Sequence, residues 1–89
     1  MLFNCFLKDY FEPDEHIVRE GEIGDTFYII SEGNVRVTQR CMGHIEPKEI
    51  RQLGRGDYFG EKALLNEDRR TANVNACHPG VELLTLNRE

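Results

Sequence analysis

The chain has 89 residues, few cysteines, a deficit of positive charge and no long apolar run. Each shortage excludes something. Cys5, Cys41 and Cys77 lie far apart, with no CxxC pair and no Cys–His pairing at ligand spacing. Such an odd, sparse set reads as free thiols in a reducing compartment, not as a disulfide framework or zinc site. His16, His44 and His78 are equally isolated, so no metal site is expected. Eleven Lys and Arg against 16 Asp and Glu leave a net charge of −5, which argues against nucleic acid or an anionic membrane as partner. No apolar run approaches the ~18 residues that span a bilayer. The apolar opening Met1-Leu2-Phe3-Asn4-Cys5-Phe6-Leu7 has no basic flank or small-residue cleavage site, so it is a poor secretion signal and the cytoplasm is the expected compartment. There is no Ser/His/Asp or Cys/His grouping and no Gly-rich phosphate loop ending in Lys-Ser/Thr. Without nucleophile, base or metal, a binding module is expected and no catalytic residue is assigned.

What is present suffices for one small core: 39% hydrophobic residues, with five Phe and three Tyr. Over residues 1–12, Leu2, Phe3, Phe6, Leu7 and Tyr10 recur at spacings of one, three and four, which suits a short helix ending near Lys8 to Tyr10. Pro13-Asp14-Glu15 is a turn signal. From His16 the period becomes two. Ile17-Val18 and Thr26-Phe27-Tyr28-Ile29-Ile30 read as strands. Glu32-Gly33-Asn34 reads as a hairpin connection into a return strand over 35–40, with Val35 and Val37 inward and Arg36, Thr38 and Arg40 outward. Residues 41–48 lack periodicity and form a surface loop. Strands follow at 49–53, 71–76 and 81–86, separated by Gly54-Arg55-Gly56-Asp57 and by Cys77-His78-Pro79-Gly80. About seven short strands at this spacing predict an all-β fold, a small β-roll or jelly-roll barrel.

One stretch breaks the alternation. Residues 59–74 open at Gly60 with one short helical turn, pass through a polar loop at 66–69, and re-enter a strand at Arg70 or Thr71. Backbone N–H groups at a helix start are unsatisfied and the dipole adds partial positive charge. An arginine adds a forked, permanently charged donor suited to phosphate oxygens. The stretch therefore reads as a site for a small phosphate-bearing ligand. Blander readings stand beside this one. Glu61 could simply favour the helix dipole, or accept hydrogen bonds from a sugar hydroxyl. Arg70 enters an apolar strand and needs an anion, either Glu61, Glu67 or Asp68, or a ligand phosphate. Thr71 could be an ordinary strand residue or select a base, and Arg51 could be surface charge.

Phe59-Gly60-Glu61-Lys62-Ala63-Leu64, then five residues, then Arg70-Thr71-Ala72, resembles the phosphate-binding cassette of cyclic-nucleotide-binding domains. It looks most like the second of the tandem domains of cGMP-dependent protein kinases. Ile17-Val18-Arg19-Glu20-Gly21, Gly24-Asp25-Thr26-Phe27-Tyr28-Ile29-Ile30, Gly33-Asn34-Val35 and Leu53-Gly54-Arg55-Gly56-Asp57-Tyr58-Phe59 fit the same family. The match runs over roughly residues 10–87.

The resemblance implies that Gly60 and Glu61 hold the ribose 2′-hydroxyl. It implies that the Ala63 backbone N–H and Arg70 hold the cyclic phosphate. Thr71 would bridge phosphate and the guanine amino group, and Arg51, with Ile50 beside it, would read the guanine edge. The implied ligand is cGMP, possibly cAMP, with no cofactor. The implied setting is the regulatory region of a longer cGMP-dependent serine/threonine kinase, whose catalytic domain is the partner. Relative to that family, residues 1–12 are expected to be the stub of a helical bundle, residues 13–89 the roll, and the closing helices would follow Glu89. The competing expectations are a cAMP-binding domain and a β-roll interaction module without ligand.

Overall fold

Alternation decides which way each strand faces. In Val35–Gln39 the branched residues Val35 and Val37 are buried while Arg36 and Thr38 are only partly covered, as a side-chain period of two requires. The computed structural model describes residues 6–40, 42–43, 45–64 and 68–87. Its elements are β1 (Leu7–Phe11), β2 (His16–Val18), β3 (Ile23–Gly24), β4 (Thr26–Glu32), β5 (Val35–Gln39), β6 (Lys48–Leu53), β7 (Tyr58–Phe59), a 3-10 turn (Glu61–Leu64), β8 (Asp68–Arg69), β9 (Asn73–Ala76) and β10 (Val81–Asn87).

The strands form two four-stranded antiparallel sheets, ordered β1-β10-β4-β7 and β2-β9-β5-β6, with β3 and β8 as a separate ribbon. The core lies between the sheets. Ile30, Val81 and Leu83 from one meet Val18, Val35, Val37, Val74 and Ala76 from the other. This is the all-β roll expected from the strand spacing, with one short helical turn interrupting it.

Four local expectations are corrected. Leu7–Phe11 is a strand, not the end of a helix, and pairs with β10 from Leu7↔Thr85 to Phe11↔Val81. The loose apolar spacing there fits either structure. The backbone of β10 supplies the ladder, and Phe11 packs against the core, so tertiary pairing wins. Residues 1–5 of the expected stub lie outside the described residues. The connection at 32–34 is not a hairpin: β4 and β5 belong to different sheets, and the chain crosses between them at Gly33. Instead of a loop, Asp68–Arg69 pairs with Ile23–Gly24, while Asn66 and Glu67 lie outside the described residues. The strand after the cassette starts at Asn73, not at Arg70 or Thr71, because residues 70–72 bend away from the ladder.

Cys77 is a half-buried free thiol; Cys5, Cys41 and His44 lie outside the described residues. Among the described residues no three His, Cys, Asp or Glu side chains are grouped to hold a metal ion. Among them, too, no helix is long and apolar enough to cross a membrane.

Candidate ligand site in the roll

Where the chain leaves β7 at Gly60 and returns at Ala72, it encloses a cavity of about 730 Å³ against β5 and β6. That lies within the roughly 300–1,000 Å³ typical of small-molecule sites. Val18, Val37, Val74, Leu53 and Phe59 provide its apolar wall. Among the described residues, Arg51, Lys62, Arg69 and Arg70 line it with two carboxylates, Asp57 and Glu61. A chain of net charge −5 thus has a locally cationic cavity, which suits an anionic ligand.

Arg70 is the best-held of these cations. Its N–H donates to the Glu22 carbonyl at 2.7 Å, and its own carbonyl accepts from the Gly21 N–H at 2.8 Å. Its Nη2 donates to the Thr26 carbonyl at 2.8 Å. The guanidinium lies flat against two glycines. A side chain on Gly24 would collide with the guanidinium Nε and Cζ. At Gly60 an added Cβ would stand 2.8 Å from Nη1 and 2.8 Å from the Thr26 carbonyl, and φ is +84° besides. Among the described residues Arg70 forms no ion pair, whereas Lys8, Arg36 and Arg55 each have one. Its fork is held by one neutral carbonyl, that of Thr26, and no carboxylate among the described residues pairs with it. The Glu61 partner of the blander reading is not engaged, and the side chains of Glu67 and Asp68 lie outside the described residues.

Glu61 opens the 3-10 turn and is exposed at the cavity rim. Ala63 lies within that turn, its side chain outside the described residues. The turn is only four residues long, so few peptide dipoles align and the turn itself adds little to the attraction for an anion. Thr71 is exposed at the rim, and its carbonyl accepts from Gln39 Nε2 at 2.9 Å. Ala72 packs against the core. Across the cavity, Arg51 and Ile50 sit on β6, with Arg51 opposite Val37 in register; both are exposed. Gly60, Glu61, Arg70, Thr71, Ala72, Arg51 and Ile50 therefore line one cavity.

Behind Arg70, Tyr28 stacks on Phe59 at 4.7 Å between ring centroids, which ties β4 to the start of the cassette. Burial pushes the Tyr28 phenol above its ordinary value, with the nearby Arg70 charge as the largest opposing influence. No Ser, His or Cys lines the cavity among the described residues. The chemistry available is recognition: a forked cation for an anion, a carboxylate acceptor for hydroxyls, and an apolar wall for a flat group.

The family model of the cyclic nucleotide-binding domain matches residues 8–89. The chain belongs to this family. As a cyclic nucleotide-binding domain it is 55% identical over 82 residues to the cGMP-dependent protein kinase egl-4 of Caenorhabditis elegans, covering 92% of this chain and 10% of that protein. It is 43% identical over 88 residues to the human cGMP-dependent protein kinase 2, covering 99% of this chain and 12% of that protein. The domain thus spans about a tenth of the length of these relatives. The regulatory domain of Toxoplasma gondii PKA, solved with cAMP, superposes with a TM-score of 0.84 at 40% identity, covering 94% of this chain and 32% of that one. The regulatory subunit of a cAMP-independent protein kinase A from Trypanosoma cruzi, solved with guanosine, gives 0.83 at 37% identity, covering 94% of this chain and 29% of that one.

The site also contains residues that the motif did not single out as contacts. Gly24 and the Thr26 carbonyl form the slot for Arg70, and Gln39 anchors Thr71. Gly24 precedes Arg70 by 46 positions and Gln39 precedes Thr71 by 32, so no local pattern links them. The only sequence signal was Gly24-Asp25 within the resemblance.

Proposed function

We propose that this cyclic nucleotide-binding domain is a regulatory module that prefers cGMP over cAMP and belongs to a longer cGMP-dependent serine/threonine protein kinase. The observation that carries the reading is the meeting of Arg70, Glu61, Thr71 and Arg51 in one cavity. Arg70, its fork held by the Thr26 carbonyl and without an ion pair among the described residues, takes the single negative charge of the cyclic phosphate. The Ala63 N–H adds a donor there. Glu61, with Gly60, accepts from the ribose 2′-hydroxyl. Thr71 bridges phosphate and the guanine amino group, while Arg51, with Ile50 at its side and Ala72 behind, faces the guanine edge. The two kinases named above, at 55% and 43% identity, support cGMP as the ligand.

The module binds and does not itself catalyse. Ligand binding shifts a two-state arrangement coupled to a kinase catalytic domain elsewhere in the protein. The partners in this reading are cGMP and that domain, in the cytoplasm, with neither nucleic acid nor membrane required. The cAMP-bound Toxoplasma structure favours cAMP as the second reading.

Calorimetric titration of the full-length protein with each nucleotide tests the choice. Tighter binding of cGMP is expected. Thr71→Ala should weaken cGMP about fivefold more than cAMP, the equivalent of one neutral hydrogen bond of ~1 kcal/mol. Equal losses would remove the base-selecting role of Thr71, and tighter binding of cAMP would favour the second reading.

A further inference from the structure

We propose that Gln39, on β5, is a positioning residue for nucleotide selectivity, acting through the main chain of Thr71. The inference rests on the reading of Thr71 as the base selector. Residues 70–72 belong to no strand, yet both sides of this bend are tied down. On one side Arg70 is fixed by its paired main-chain bonds to Gly21 and Glu22 and by the Thr26 carbonyl. On the other, the Thr71 carbonyl accepts the Gln39 amide at 2.9 Å. Gln39 reaches it from across the cavity, where it ends β5 opposite Lys48.

The two tethers hold different parts of the site. Those on Arg70 place the phosphate-binding fork, which serves any cyclic nucleotide. The tether from Gln39 sets the backbone at Thr71, and through it the direction of a hydroxyl that only one base would use. Thr71 is exposed, so packing does little to hold it. A carbonyl freed from Gln39 can rotate and turn to water, moving the hydroxyl while leaving the Arg70 bonds in place. Gln39 also lies beside the ligand space, but its role here is that of a donor to protein.

The test compares cGMP and cAMP dissociation constants in the full-length protein for Gln39→Met, Gln39→Glu and Gln39→Arg. Met keeps the length without a donor, Glu offers only acceptors at neutral pH, and Arg keeps a donor. Met and Glu should each lower the cGMP preference about three- to tenfold, near the worth of one hydrogen bond, with cAMP affinity moving less. Arg should retain the preference. In the Thr71→Ala background none of the three should change the ratio further. A preference unchanged in Gln39→Met, or lost equally in Gln39→Arg, overturns the inference. If Thr71→Ala leaves the ratio unchanged, the base-selector reading itself has failed. Melting temperatures of the three variants separate loss of positioning from loss of fold, since instability alone would lower both affinities together.

Discussion

Two glycines shape the Arg70 end of the cavity by what they leave out. Arg70 can lie along the ribbon only because Gly24 and Gly60 present no side chain to its guanidinium. At Gly60 the positive φ would exclude most residues in any case; at Gly24 the requirement is space alone. Gly24→Ala should therefore displace the Arg70 fork and weaken cGMP and cAMP alike. Arg70→Lys should do the same, since a point charge cannot reproduce the fork. A charged hydrogen bond is worth about 1.5–3 kcal/mol, so the expected loss is about ten- to a hundredfold for both nucleotides, with their ratio kept. Calorimetry on the two variants checks this. Unchanged affinity in Arg70→Lys would make that arginine structural, and a changed ratio would assign it a role toward the base. At this scale Glu61 and Arg70 could be found in the sequence, because their chemistry stands out locally. Gly24 and Gln39 could not, because their importance is a distance to something far along the chain.

Among the elements, the crossing at Gly33 separates the two sheets and sets which faces meet. Gly33 has φ +96°, and an added Cβ would stand 2.6 Å from the Gly80 carbonyl and 3.1 Å from Val81 Cα. Both obstacles are backbone, and the nearest core residues of β4 and β5, Ile30 and Val35, are fully buried, so the crossing cannot shift cheaply. Gly33→Ala should lower unfolding stability by about 1–3 kcal/mol, measured by urea denaturation, with an unchanged m-value. A loss well below ~1 kcal/mol would mean that the crossing relaxes easily. The glycine itself was readable as a turn. Whether it joined two paired strands or passed from one sheet to the other was not, since both use the same turn chemistry. The strand Leu7–Phe11 failed for a related reason: its partner, Val81–Asn87, lies at the other end of the chain. The ribbon of Ile23–Gly24 and Asp68–Arg69 is too short for two-residue periodicity to register.

At the scale of the whole molecule, one titration links the core to the site. The Tyr28 phenol is pushed above its ordinary value of 10.0 by burial, so the folded state holds that proton more tightly than the unfolded chain. Its contribution to stability is complete below about pH 10 and is lost as pH rises through the folded value. Thermal melting should thus fall above about pH 10, and Tyr28→Phe should flatten that fall. Equal slopes in the two proteins would show that other groups dominate. Because Tyr28 stacks on Phe59, the same alkaline loss should loosen the entry to the cassette.

The sequence by itself determined the all-β class, the inward set of Val35 and Val37, and the residues able to meet an anion and a sugar. Those properties are local: they depend on alternation, on turn residues and on side-chain chemistry carried at each position. Only the tertiary structure decided that Arg51 and Ile50 on β6 face Gly60, Glu61, Arg70 and Thr71 across one cavity, and that the Arg70 fork rests on the Thr26 carbonyl. Sheet pairing brings residues far apart in the chain into contact. Which of them meet depends on which strand edges close together, and no residue carries that information alone.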